Sequence, residues 1–96
     1  MTIKTKSTPL LLAKSFKALS DGNRLKILCV IFDLKKICVS EIADKLGLSV
    51  AVVSHHLRVL SKVGLVAPEK TGKRVCYLLL KTTFATDLKR LVCKYK

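Results

Sequence analysis

Residues 37–66 read ICVSEIADKLGLSVAVVSHHLRVLSKVGLV, and two short helices can be drawn through them. Ser40 is placed to cap a helix running to about Leu46, where Gly47 supplies the left-handed residue that ends helices. Ser49 is placed to cap a second helix, 50–62, in which Val53, Leu57 and Leu60 recur at i, i+4 and i+7 and share one face. Gly64 ends that helix. Two helices joined by so short a glycine-containing turn form a helix-turn-helix. With the Val53–Leu57–Leu60 stripe turned to a core, Ser49, Ala51, Ser54, His55, Arg58 and Lys62 are left toward solvent or a partner.

Working outward, residues 65–69 and 74–80 read as two strands joined by Lys70-Thr71-Gly72-Lys73, a basic hairpin tip. A last helix, 83–95, carries Phe84, Leu88, Leu91 and Tyr95 on one stripe. Toward the N-terminus, Asp21 caps a helix over 22–33 in which Leu25, Leu28, Cys29 and Phe32 share a face and Ile27, Val30 and Ile31 cover the other sides. That helix is expected at the centre of the core. Pro9 suits the first turn of a helix over 9–19 with Leu12, Phe16 and Leu19 in line. Residues 1–8 read as a loose arm. The expected fold is mainly α with a small β-hairpin, an α+β winged helix-turn-helix of five helices and a two-stranded wing, spanning 1–96 as one domain.

Composition limits what such a domain can do. The 96 residues carry 19 Lys+Arg against 6 Asp+Glu, a net charge of +13, yet half are hydrophobic. That is a folded cation rather than a basic tail, and it points to a polyanionic partner, nucleic acid first. Apolar runs stop at five or six residues, too short for a membrane span. Leu10 to Ala13 is too short for a signal-peptide core, so a cytoplasmic location is expected. Four cysteines, 29, 38, 76 and 93, form no C-x-x-C pair and are expected as thiols in a reducing compartment. Cys76 reads as structural, on an exposed side of its strand, with nothing paired to it by spacing. No nucleophile–base constellation or glycine-rich phosphate loop is present, so an enzyme is not expected, nor any cofactor.

The strings SFKALSDGNRLKIL (15–28), ICVSEIADKLGLS (37–49), VSHHLRVLSKVGLV (53–66) and KRVCYLLL (73–80) resemble the ArsR/SmtB family of bacterial and archaeal repressors. The resemblance covers residues 10–95, and Ser54 to Val66 is its most specific tract. It implies a homodimer joined through the first and last helices (83–95 being the dimerisation helix), a recognition helix in the major groove of a double-stranded operator, and an inducer that lowers DNA affinity. The residues agree. Ser49 and Ser54 at a helix N-terminus can donate to phosphates. Arg58 can reach a phosphate or a guanine edge. Lys70, Lys73 and Arg74 suit phosphates beside the minor groove. Where family members often carry a polar residue after the opening serine, this chain has Val50, which can touch a thymine methyl but cannot hydrogen-bond a base.

The resemblance also frames the sensing chemistry. His55 and His56 point about 100° apart on a helix and cannot both ligate one ion. The family's Cys-Val-Cys metal site appears here as Cys38-Val39-Ser40, one ligand short, and Cys38 alone holds a soft metal poorly. The family's Asp/His/His/Glu zinc site would need a His and a Glu that the last helix lacks. The persulfide-responsive branch places one cysteine in the second helix and one near the end of the last, and Cys29 and Cys93 match both positions. Lys89, Arg90 and Lys94 surround Cys93 with positive charge, against the negative end of the helix. Cys29 sits among Leu25, Leu28 and Phe32, a setting in which cysteine is commonly inert. The reading is a homodimeric repressor released when a reactive sulfur species oxidises or persulfidates the Cys29–Cys93 dithiol. Two alternatives remain open: a soft-metal or other thiophilic inducer acting through Cys38, and a non-specific architectural DNA-binding protein.

Overall fold

The structure, a computed structural model, describes residues 8–95, so the expected arm lies outside the described residues except for Thr8, with which the first helix begins. The order is α1 (Thr8–Leu19), α2 (Gly22–Leu34), β1 (Lys36–Cys38), α3 (Val39–Leu46), α4 (Val50–Lys62), β2 (Val66–Thr71), β3 (Arg74–Leu79) and α5 (Thr83–Lys94). Five helices and a small antiparallel sheet make the winged helix-turn-helix that the pattern predicts.

The helix boundaries follow from caps. Asp21 accepts a hydrogen bond from the Arg24 N–H at 3.0 Å, and that bond holds its carboxyl below the usual carboxylate range. Ser49 accepts from Val52 N–H at 3.1 Å and Thr82 from Ala85 N–H at 3.1 Å. Gly47, at φ 67°, ends α3 in the left-handed region where a Cβ is costly. Ser40 is not the cap of α3. The helix starts one residue earlier, at Val39, with Cys38 as its N-cap and Glu41 reaching back to accept from the Cys38 N–H at 3.1 Å. The residue at N3 thus supplies half of a capping box whatever the N-cap residue is.

The sheet differs from the expected two-stranded wing by one strand. β1 pairs with β3, giving the order β1-β3-β2, with Ile37 opposite Tyr77 and Cys38 opposite Cys76. Lys35 makes this possible: at φ 66° it turns the chain from α2 into β1 with no intervening loop, its N–H donating to the Ile31 carbonyl at 2.7 Å. A three-residue strand is too short to show alternation. The hairpin strands also run further than expected at the tip, with Lys70 and Thr71 inside β2 and the turn confined to Gly72-Lys73.

One hydrophobic cluster joins these elements. Ile27, Leu28, Ile31 and Phe32 of α2 lie at its centre, with Val53, Leu57 and Leu60 of α4 fully buried against them. Each such side chain contributes roughly 1.5–3 kcal/mol by leaving water. The terminal helices follow their stripes less closely. On α1 only Leu19 of the Leu12–Phe16–Leu19 line is buried, while Phe16 is 58% exposed; on α5 Leu88 is buried but Leu91 is 56% exposed. Phe16 and Phe84 meet edge-to-face with ring centroids 6.3 Å apart, so the uncovered faces of α1 and α5 adjoin.

Cys76 is neither exposed nor alone. It is 4% exposed and disulfide-bonded to Cys38, which is 8% exposed. The expectation that the cysteines stand as separate thiols fails for this pair because it depended on sequence spacing. The two are 38 residues apart, and only the β1–β3 register brings them face to face.

Candidate nucleic-acid interface

The second helix of the helix-turn-helix, α4, presents Ser49, Val50, Ala51, His55 and Arg58 to solvent, with Ser54 half-buried. The buried stripe of Val53, Leu57 and Leu60 fixes this rotation, since the residues between them must face away. Ser49 Oγ accepts the Val52 N–H, which leaves its hydroxyl hydrogen to donate to an anion at the helix N-terminus. Val50 is 51% exposed, and Val52, not singled out from the sequence, adds a second exposed apolar side chain at the same end.

A cleft of about 270 Å³ lies between this end of α4, the start of α3 and the turn and first residues of β3 in the hairpin, lined by Cys38, Ser40, Val50, Ser54, Lys73 and Arg74 among others. The fold therefore brings the head of the helix and the first residues of the wing strand to one place. Arg74 Nη2 pairs with Glu41 Oε1 at 3.3 Å, and that oxygen also accepts the Cys38 N–H. Glu41 was missed in the sequence, although its place three residues after Cys38 is the capping-box spacing. Lys70 is exposed on β2. Lys62, by contrast, stands at the far end of α4, roughly 18 Å along the axis from Val50, beside Lys14 of α1.

The two histidines separate as their spacing requires. His55 faces solvent, whereas His56 is 8% exposed and its Nδ1 lies 3.4 Å from Arg24 Nη1. Burial lowers the pKa of His56, against a smaller opposing pull from Asp21. Arg24 also donates through Nε to the Ala18 carbonyl at 2.6 Å, so it ties α1, α2 and α4 together. His56 and Arg24 are parts of the scaffold behind the exposed face. Cys29 is half-buried on α2 and Cys93 is exposed in the last turn of α5, two helices that pack on each other. Among the described residues no group of three or more His, Cys, Asp or Glu side chains is gathered for a metal ion.

Residues 21–67 match the bacterial regulatory protein, arsR family. Over 81 residues the chain is 35% identical to the transcriptional activator HlyU of Vibrio cholerae, covering 81% of this chain and 74% of HlyU. The chain belongs to the ArsR family. That membership accounts for the strings quoted from the sequence, and the structure agrees with it: HlyU from V. cholerae superposes with a TM-score of 0.83 at 29% identity, covering 97% of both chains, and its reduced form with 0.82. A homodimeric winged helix-turn-helix DNA-binding domain from Mycobacterium bovis, Mb0332, superposes with a TM-score of 0.80 at 28% identity, covering 99% of this chain and 87% of that one. This ArsR-family chain is also 43% identical over 74 residues to a cadmium resistance transcriptional regulatory protein CadC homolog of Staphylococcus aureus, covering 77% of the chain. It spans 61% of that regulator's length. No helix among the described residues is long and apolar enough to cross a membrane.

Proposed function

We propose that the chain is a homodimeric, sequence-specific DNA-binding repressor of transcription that works inside the cell as one domain. The observation that carries this reading is the convergence of the exposed head of α4 with Lys73 and Arg74 of the wing on a molecule of net charge +13. Ser49, Ser54, Lys70, Lys73 and Arg74 are assigned to phosphates, Val50 and Ala51 to base methyls, and His55, Arg58 and Lys62 to the rest of the DNA footprint. The adjoining exposed faces of α1 and α5 support dimerisation, as does the homodimeric state of the M. bovis relative.

Release from the operator is assigned to Cys29 and Cys93. A persulfide RSSH oxidises the two thiols to a disulfide, leaving RSH and hydrogen sulfide, and the changed α2–α5 packing is passed to the reading helices. The packing of α2 on α5 and the likeness to HlyU in its reduced form support this assignment.

Fluorescence anisotropy with a duplex from upstream of the gene tests the DNA reading. Log affinity is expected to fall with log salt at a slope of about −0.9 per phosphate neutralised, and Arg58→Ala to weaken binding by about tenfold. Equal affinity for random duplex would favour an architectural protein, and no binding even at low salt would refute both. Peptide mapping and DNA titration after treatment with a persulfide donor test the thiol assignment; unchanged affinity after verified Cys29–Cys93 oxidation removes it.

A further inference from the structure

Side chains alternate across a strand, so Lys36, Cys38, Arg74, Cys76, Leu78 and Glu69 lie on one face of the sheet, opposite the Ile37–Tyr77–Pro68 row. Ile37 and Tyr77 join the hydrophobic cluster; Cys38 and Cys76 do not. The disulfide therefore sits on the side of the sheet away from the core, flanked by the exposed ion pairs Lys36–Glu69 and Arg74–Glu41. Cys38 lines the cleft at the head of α4, where Lys73 and Arg74 also lie. The bond closes a loop 38 residues long that contains α3, α4 and β2, which is the whole reading head and one side of the wing.

We infer that Cys38 and Cys76 form a second, independent redox site, one that sets the wing against the helix-turn-helix and takes anionic low-molecular-weight disulfides as its oxidant. The inference rests on the DNA-binding reading above. A protein that acts on DNA inside a cell meets a thiol-rich medium, where a disulfide is a labile redox element more often than a permanent staple. The chemistry is thiol–disulfide exchange. The Cys38 thiolate attacks one sulfur of RSSR and expels one RS⁻, then the Cys76 thiolate attacks Cys38 and expels the second. The two protein thiols give up two electrons, and two RSH leave with the two protons. Cys38, which borders the cleft and is 8% exposed against 4% for Cys76, is the sulfur nearer the reagent, and Lys73 at the cleft, on a molecule of net charge +13, draws an anionic one toward it.

The direction follows from how β1 is held. It is a three-residue strand at the sheet edge. With the bond intact, the wing strand is tied to the first residue of the reading head, and Lys73 and Arg74 are preset beside Val50 and Ser54. Without it, that alignment must be ordered on binding, at a cost in affinity. Oxidation at Cys38–Cys76 therefore strengthens DNA binding, opposite in sign to oxidation at Cys29–Cys93.

The test is DNA affinity by anisotropy in glutathione buffers of graded poise, with thiol trapping and mass spectrometry to follow each cysteine, at a temperature where circular dichroism shows both forms folded. Reduction is expected to lower Tm by on the order of 10 °C. In the Cys29→Ser/Cys93→Ser double variant it is also expected to weaken DNA binding about fivefold, with a midpoint that coincides with trapping of Cys38 and Cys76. That double variant, which lacks the other dithiol, should keep the response, and adding Cys38→Ser or Cys76→Ser to it should give binding like that of the reduced protein at every poise. In the Cys29→Ser/Cys93→Ser background, equal affinity of trapped-oxidised and trapped-reduced protein overturns the inference, as does a response that survives the addition of Cys76→Ser. Absence of binding in every redox state removes the DNA-binding reading and this inference together, whereas binding that ignores the poise removes the inference alone.

Discussion

The reading head and the terminal helices of this chain treat their apolar residues differently. In α4 the stripe of Val53, Leu57 and Leu60 is fully buried within one chain, against Ile27, Ile31 and Phe32 of α2. In α1 and α5 the corresponding stripes end with Phe16, Leu91 and Tyr95 exposed, Tyr95 by 77%. A stripe that is satisfied fixes the rotation of its helix and hence which residues reach a ligand. One that is left open holds free energy for association, because apolar area that stays in water gains nothing until something covers it. The head is thus covered within one chain, whereas α1 and α5 keep an apolar face that the chain itself leaves uncovered.

The largest expected effect falls on the head. Leu57→Ala removes a fully buried side chain at the junction of α2 and α4 and should cost about 2–5 kcal/mol, read as a drop in the chemical-denaturation midpoint. An equal loss from Phe16→Ala would break the contrast, since an exposed residue should cost the monomer little. The next effect belongs to the arms. Phe16→Lys or Leu91→Lys should raise the dimer dissociation constant at least tenfold in sedimentation velocity, by placing a charge in an apolar interface, while far-ultraviolet circular dichroism stays unchanged. Loss of helical signal together with dimerisation would show that the arms are part of the fold of each chain after all.

The smallest effect concerns the seam between the two regions, where Arg24 and His56 join α1, α2 and α4. Burial lowers the pKa of His56 in the folded state, so the unfolded chain takes up the proton first as pH falls. Stability from this group is complete above the unfolded value near 6.5 and declines as pH drops below it. His56→Gln should remove that part of the pH dependence in thermal melts between about pH 7 and 5, leaving the alkaline side unaltered. A wild-type profile that is flat over this range would place His56 outside the packed seam.

Much of the fold and of the candidate interface was legible from residue order. Local rules sufficed wherever cause and effect lay within one turn: Asp21 and Ser49 cap because their oxygens reach N–H groups three residues on, and Gly47 ends α3 because it tolerates a positive φ. The i, i+4, i+7 stripe of α4 set which side chains face outward, and Ser49, Val50, Ala51, His55 and Arg58 do. Charge counting pointed to a polyanionic partner without any coordinates. The same local rules misplaced the cap of α3, because they weigh the residue type at the N-cap more than the glutamate that completes the box.

Tertiary structure alone decided what depends on residues far apart in the chain. β1 has three residues, too few for periodicity, and exists because β3 offers it a partner. That pairing in turn joined Cys38 to Cys76 and set both beside Arg74 and Glu41. The packing of the whole chain likewise left Phe16 and Leu91 uncovered, although spacing puts them in line with the buried Leu19 and Leu88. Spacing reports which residues share a face; whether that face is covered is settled by what the rest of the chain can bring to it.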